Sequence, residues 1–304
     1  MIRHLLHTEI DRQRWDSCIE GSVNRLPYAF SWWLDAVCEG WEALVQDDYT
    51  AVMPLTHNRK MGIDYLFQPF FTQQLGVFSP DISAAREINP FLSAIPASYR
   101  FVDIQLNQDN SPSLATFKVH SKINATLDLS RDYAQLSSHY HRNCRRNIRK
   151  ALHANLMVKP GPRPAVFARF IQKHLGKKLL RINNTFYPTL QRLSHITLQN
   201  GTGEILGVYK PGDELAAAGW FVEYAGRYVF LVCASTINGA SQQAMFRLVD
   251  HVLHEKAGTG LTFDFAGSNI PGVRYFNQGF GAAESYYPAV KRNNLPWPLN
   301  LFRN

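Results

Sequence analysis

The sequence predicts an α/β protein with mixed sheets, divided into two domains of like layout. Three observations predict it. Residues 226–292 read strand, helix, strand: GRYVFLVCAST is an apolar run of strand length, AMFRLVDHVLHEKAG is helical, and LTFDFAGS is a second apolar run. Such a unit reads as a right-handed βαβ crossover on parallel strands, expected at 228–235 and 261–266 with the helix at 241–257. Each half of the chain also runs helix, antiparallel hairpin, helix, strand. Finally, 304 residues exceed the roughly 100–200 of one domain. The domains are expected at 1–126 and 127–304.

In the first half, DRQRWDSCIE supplies a short helix. PYAFSWWLDAVCEGW follows, with Phe30, Trp33, Leu34 and Val37 on one helical face. EALVQDDYTAVMPL reads as a hairpin turning at Asp47-Asp48-Tyr49, with Arg59 and Lys60 in the next loop. YLFQPFFTQQLGVFS enters as a strand and becomes irregular at Pro69. Residues 82–95 form a helix that stops before Pro96, and 99–106 a strand. A polar loop at 107–113 precedes one or two more strands in ATFKVHSKINATLDLS.

The second half opens with RDYAQLSSHYHRNCRRNIRKALHANL, one long helical stretch broken by MVKPGPRP. AVFARFIQKHLGKKLL and FYPTLQRLSH add two helices. A meander follows, with turns at Asn200-Gly201, Pro211-Gly212-Asp213 and Ala225-Gly226. In the crossover helix Met245, Leu248, Val249, Val252 and Leu253 share one face, and Gly258 ends it. In open α/β sheets the working cleft lies past the carboxyl ends of such strands, here CAST at 233–236 and FAGS at 265–268.

Hydrophobic content of 45% and charged content of 18% suit a globular core. A net charge of +8 favours anionic partners such as nucleic acid, phosphorylated cofactors or an acidic membrane surface. Cys18, Cys38, Cys144 and Cys233 lack CxxC spacing and read as free thiols of a reducing compartment, the cytoplasm. No signal peptide and no membrane-spanning run of about 18 apolar residues is expected.

HRNCRRNIRKALHANLMV, followed later by FDFAGSNIPGVRYFNQGFGA, resembles the FemABX-like transferases and their acyl-CoA N-acyltransferase (GNAT) relatives. The resemblance covers most of residues 131–292, and 1–126 by layout alone. It implies two tandem GNAT-like domains and transfer of an acyl or aminoacyl group to an amine. The co-substrate would be acyl-CoA or an aminoacyl-tRNA, with no tightly bound cofactor. Peptidoglycan-branching members carry lysines where this chain has Val37 and Asn277. The resemblance puts acceptor contacts at Tyr187, Phe230, Phe276 and Asn277.

Arg142, Arg145, Arg146 and Arg149 fall three or four apart on one helix face. They read either as a solvated face paired with acids or as a phosphate or tRNA site. Lys177, Lys178 and Arg181 carry the same two readings. Ser235, Gly239 and Ser241, at the strand end and helix start, are further donor-phosphate candidates through helix N-terminal amides. The junction does not match the GNAT pyrophosphate loop. His251 and His254 with Glu255 lack a third metal ligand, so no metal site is expected. Ser235 and Ser241 lack a nucleophile elbow, so hydrolase chemistry is set aside. Asp264, mid-strand among apolar residues, is the catalytic candidate, a base for the acceptor amine. Its structural reading has it bonded by amides of the 267–272 turn or paired with Arg274. The alternative function is a catalytically silent scaffold that binds nucleic acid or another polyanion through 139–150.

Overall fold

The computed structural model describes residues 1–175, 184–267 and 269–300. Its residues group into two compact units, Met1–Lys122 with Tyr286–Asn304, and Ile123–Ser285. The carboxyl-terminal stretch, expected in the second domain, therefore belongs with the first unit.

The first unit begins with a strand unread in the sequence, β1 (Ile2–Leu5). Helices α1 (Arg12–Gly21) and α2 (Ser31–Val37) follow, then β2 (Glu42–Gln46) and β3 (Ala51–Leu55). Asp11 caps α1 by accepting from the Arg14 amide at 3.1 Å. Asp47 and Tyr49 take left-handed φ of 47° and 62°, closing the expected hairpin. A second hairpin joins β4 (His57–Lys60) to β5 (Ile63–Phe67), so Arg59 and Lys60 lie on a strand and not in a loop. The helix expected at 82–95 is two, α3 (Ile82–Arg86) and α4 (Asn89–Ala94), because Pro90 suits only a first turn. β6 (Tyr99–Gln105) pairs parallel with β5. Trp15, Trp33, Trp41 and Tyr28 are fully buried here.

β7 (Lys118–Asp128) leads into the second unit. The long helical stretch is two helices, α5 (Tyr133–Ser138) and α6 (Arg142–His153). The expected break after it holds a strand, β8 (Met157–Pro160). Helices α7 (Pro164–Leu175) and α8 (Phe186–Gln199) precede the meander of β9 (Gly203–Tyr209), β10 (Leu215–Tyr224) and β11 (Arg227–Ser235). Gly201, Gly212 and Gly226 supply its left-handed turns at φ of 70°, 85° and 76°. The crossover from β11 runs through a short α9 (Ile237–Ser241) and α10 (Ala244–Lys256) to β12 (Thr262–Asp264). After α11 (Pro271–Gly279), β13 (Ala283–Asn293) pairs antiparallel with β6 from Ala289 onward.

β11 and β12 are parallel neighbours, as the sequence requires. Their ladder is short: Arg227 faces Thr262, Tyr228 faces Phe263, and Val229 faces Asp264. β11 runs on to Ser235 beside β10 alone, so the two parallel strands part at the carboxyl end of β12. The core around this junction is aromatic. Phe221 stacks on Phe230 at 4.6 Å, and Phe263 meets Phe265 edge-on at 4.7 Å.

One glycine fixes how closely the crossover approaches the sheet. A Cβ at Gly239 would lie 2.1 Å from the Ala216 carbonyl oxygen of β10. The oxygen is backbone and a Cβ is held rigidly by its own backbone, so neither can swing aside. We expect Gly239→Ala to lower unfolding stability by about 1–3 kcal/mol, read as a shift in denaturant midpoint. An unchanged midpoint would refute the close approach.

Candidate functional site

The two stretches singled out in the sequence, the arginine-rich helix and the late FNQGFGA segment, meet in the second unit. α6 turns Cys144, Ile148 and Ala151 inward, one helical face repeating at four and three residues. Arg142, Arg145, Arg146 and Arg149 occupy the opposite, exposed face. α11 closes against the start of α6: the His141 amide donates to the Gly279 carbonyl at 2.9 Å. Phe280 is fully buried and meets the Tyr140 ring edge-on at 5.2 Å. Gly281, at φ 80°, would place a Cβ 3.3 Å from that of His139. Gly279 and Gly281 thus bring two segments far apart in sequence into register.

Between them lies an open cleft of ≈ 560 Å³, lined by His141, Arg142, Asn143, Arg146, Arg149 and Tyr275. Its electrostatics are one-sided. Among the described residues none of the four arginines is within ion-pair distance of a carboxylate. Their hydrogen bonds are local: Arg146 to the Asn143 side chain at 2.6 Å, Arg145 to the Ser138 carbonyl at 3.5 Å, Arg149 to the Arg145 carbonyl at 3.4 Å. His141 is the N-cap of α6 and makes no side-chain cap bond. The first-turn amides therefore lack a side-chain acceptor, and the positive end of the helix dipole carries more positive charge. Like charges in that setting repel until an anion joins them. The face is solvated, as one sequence reading has it, but without the acid partners that reading added.

α11 is itself anchored. Arg274 donates to both carboxylate oxygens of Glu284, and Gln278 adds a bond at 2.8 Å. The Arg274 hydrogen bond holds the Glu284 carboxyl below its ordinary range. Tyr275 points outward from this fixed helix, 59% exposed. It went unnoticed in the sequence, although it is the one exposed ring beside the packed Phe276.

Other assigned residues lie elsewhere. Ser235, Gly239 and Ser241 do not line the arginine cleft. The Gly239 amide donates to Thr236 Oγ1 at 2.8 Å, which takes it from any anion, and the Ser241 hydroxyl donates to the Asn238 carbonyl at 2.7 Å. Phe230 is a core residue, and Phe276 packs edge-on against Phe246 at 4.7 Å. Asn277 is buried. Phe230 and Phe276 are thus engaged in aromatic packing, and Asn277 lies inside the unit. Tyr187 lines a separate cleft between α7 and α8 with Arg163, Arg169, Arg192 and His195. Lys177, Lys178 and Arg181 lie outside the described residues. Among the described residues no group of three or more histidines, cysteines or acids could hold a metal ion, and no helix is long and apolar enough to cross a membrane.

Asp264 is 3% exposed and accepts from three donors. The Asn124 side chain of β7 donates at 2.9 Å, the Ala266 amide at 2.9 Å and Arg227 of β11 at 3.0 Å. The expected partner, Arg274, is bonded to Glu284, and the backbone donor is Ala266, not an amide of 267–272. Asp264 thus ties β7, β11 and the turn after β12. We expect Asp264→Asn to lose about 1.5–3 kcal/mol of stability, the worth of bonds to a charged group. The Arg227→Met loss should not add fully to it in the double variant. Unchanged stability with lost turnover would instead assign Asp264 to chemistry.

No family model matches the sequence, and no curated protein matches it. The fold is shared with solved structures. FemX is similar over 99% of both chains, at 12% identity and a TM-score of 0.69. The L-PGS structure from Bacillus licheniformis is similar over 86% of this chain and 87% of its own, at 13% identity and a TM-score of 0.52. A conserved protein of unknown function from Bacteroides thetaiotaomicron VPI-5482 covers 92% of each chain at 8% identity and a TM-score of 0.54. The chain has the FemX-like mixed α/β fold.

Proposed function

We propose that the chain transfers an acyl or aminoacyl group from a phosphate-bearing donor, acyl-CoA or aminoacyl-tRNA, to an amine. The observation that carries the reading is the unneutralised arginine cleft at the uncapped start of α6, on a FemX-like fold. Phosphates are the anions best matched to such a cleft. Guanidinium groups hold them through paired donors, and helix N-termini add amides and dipole. Tyr275 offers a flat apolar face for a base beside those phosphates.

The reaction needs no covalent enzyme intermediate. The acceptor amine, deprotonated, attacks the donor carbonyl carbon, forming a C–N bond. The C–S bond of a thioester or the C–O bond of an ester breaks, and the leaving thiol or hydroxyl takes up a proton. Polarising the carbonyl requires fixed donors. In this reading the backbone of β11 beyond Val229, where its ladder to β12 ends, supplies them. Asp264 is engaged by three donors, so in this reading it positions the strand and does not act as the base.

The same cleft also suits a silent scaffold that holds a nucleic acid. Equilibrium binding separates the cases. Coenzyme A, a long-chain acyl-CoA and total tRNA are titrated separately against the full chain and against Arg142→Glu/Arg146→Glu. We expect one of the three ligands to bind, and the double variant to weaken it at least tenfold, because each charge-assisted contact is worth about 1.5–3 kcal/mol. Its unfolding midpoint should stay unchanged, since both side chains are exposed. Affinity should fall with salt if tRNA is the ligand. Equal binding by the double variant would refute the cleft, and tRNA binding with no amine acylated would favour the scaffold.

A further inference from the structure

The first unit carries a pocket that the transfer reading does not use. It lies on one face of the β4–β5–β6 strands. Register pairs Lys60 with Ile63, Asn58 with Tyr65, and Tyr65 with Phe101. Paired residues share a face, and alternation along each strand keeps Ile63, Tyr65 and Phe101 together. The other face carries Leu66, Val102 and Ile104, which are buried in the unit's core. An apolar strip on the second face would ordinarily be solvated or covered. Here Leu295 and Leu299, from the segment after β13, sit over it and leave a cavity of ≈ 190 Å³. Lys60 and Met61 form its rim.

One charged residue lines the rim, and it is a cation. Lys60 is exposed and, among the described residues, makes no ion pair. Lys291 lies 5.7 Å from the centre of the Phe101 ring. Two acids are near in register. Asp64 is 3.6 Å from Arg59, and Asp103 faces Lys291 across the β6–β13 ladder. Neither lines the cavity.

We infer that this pocket binds a short amphipathic anion. A single alkyl chain would lie against Ile63, Tyr65, Phe101 and the two leucines, with its carboxylate at the Lys60 ammonium. The volume decides the size of the guest. Drug-sized sites occupy about 300–1,000 Å³, so 190 Å³ admits one short chain and excludes a bulky ring system. The wall chemistry decides the class, because apolar walls reward methylenes while one rim cation selects an anionic head. The inference is independent of the transfer reaction and survives its failure.

Calorimetric titration of the full chain with n-alkyl carboxylates of four to fourteen carbons tests it, with the matching short n-alkanols as uncharged controls. We expect Kd to tighten about fourfold per added methylene, then stop improving at one chain length. The carboxylate should bind at least tenfold tighter than the alcohol, and Lys60→Glu should abolish that preference. Ile63→Trp, which fills the cavity, should remove binding. If that variant does not fold, the Lys60→Glu comparison still decides. Absence of saturable binding at every length would overturn the proposal. So would affinity that rises without a break, or binding seen only as co-sedimentation with phosphatidylglycerol vesicles, which would mark a membrane-facing surface instead.

Discussion

The Asp264 carboxylate sits where β12, only three residues long, joins β7 to β11. A strand that short contributes few ladder bonds, and the sheet of the second unit narrows to it. An ionised carboxylate buried without partners would cost several kcal/mol. With Asn124, Arg227 and the Ala266 amide all donating, the same group becomes a clamp across three segments. Phe263 and Phe265 fill the opposite face of the strand with aromatic packing. Charge on one side and rings on the other hold β12 beside the first three residues of β11, while the rest of β11 runs free of it. The turn that follows needs left-handed backbone at Ala266 and Gly267, φ 53° and 114°, which redirects the chain toward α11.

That redirection places α11 against α6. The arginine face then inherits a neighbour it could not have acquired from its own helix. On α6 Cys144, Ile148 and Ala151 attach the helix to the core, while the arginines face outward. Repulsion among them is a modest, salt-screened cost. The inward face offsets it, so the outward face can stay unneutralised.

Period and punctuation made most of the fold legible. The crossover helix, the parallel pair, the meander turns at Gly201, Gly212 and Gly226, and the hairpin at Asp47–Tyr49 all followed from alternation, helical spacing and left-handed turn residues. What escaped was local. β1 and β8 are four residues each, too short to show a period. The 131–156 stretch keeps a helical pattern through His139–His141, yet the chain breaks there because the His141 amide is taken by Gly279, a contact no local pattern contains. The carboxyl-terminal stretch joins the first unit through the pairing of β13 with β6, which no boundary composition marks.

The candidate site was legible as a list of charges and not as a place. Spacing alone put four arginines on one face, but whether acids answered them depends on tertiary neighbours. The aromatic residues of the late segment posed the reverse problem. Phe276 looked like a substrate contact because it stands in the late motif, yet it packs on Phe246, and the neighbouring Phe280, flanked by glycines, lets two segments approach closely. Gly279 faces Cys144 of α6 and Gly281 faces His139 just ahead of that helix, with Phe280 buried between them. Motif residues that build a site and motif residues that form it are therefore interleaved here, with Tyr275 next to Phe276 on the same turn. Exposure distinguishes them: Phe280 is buried and answers to packing, while Tyr275 of α11 stays exposed beside unpaired cations.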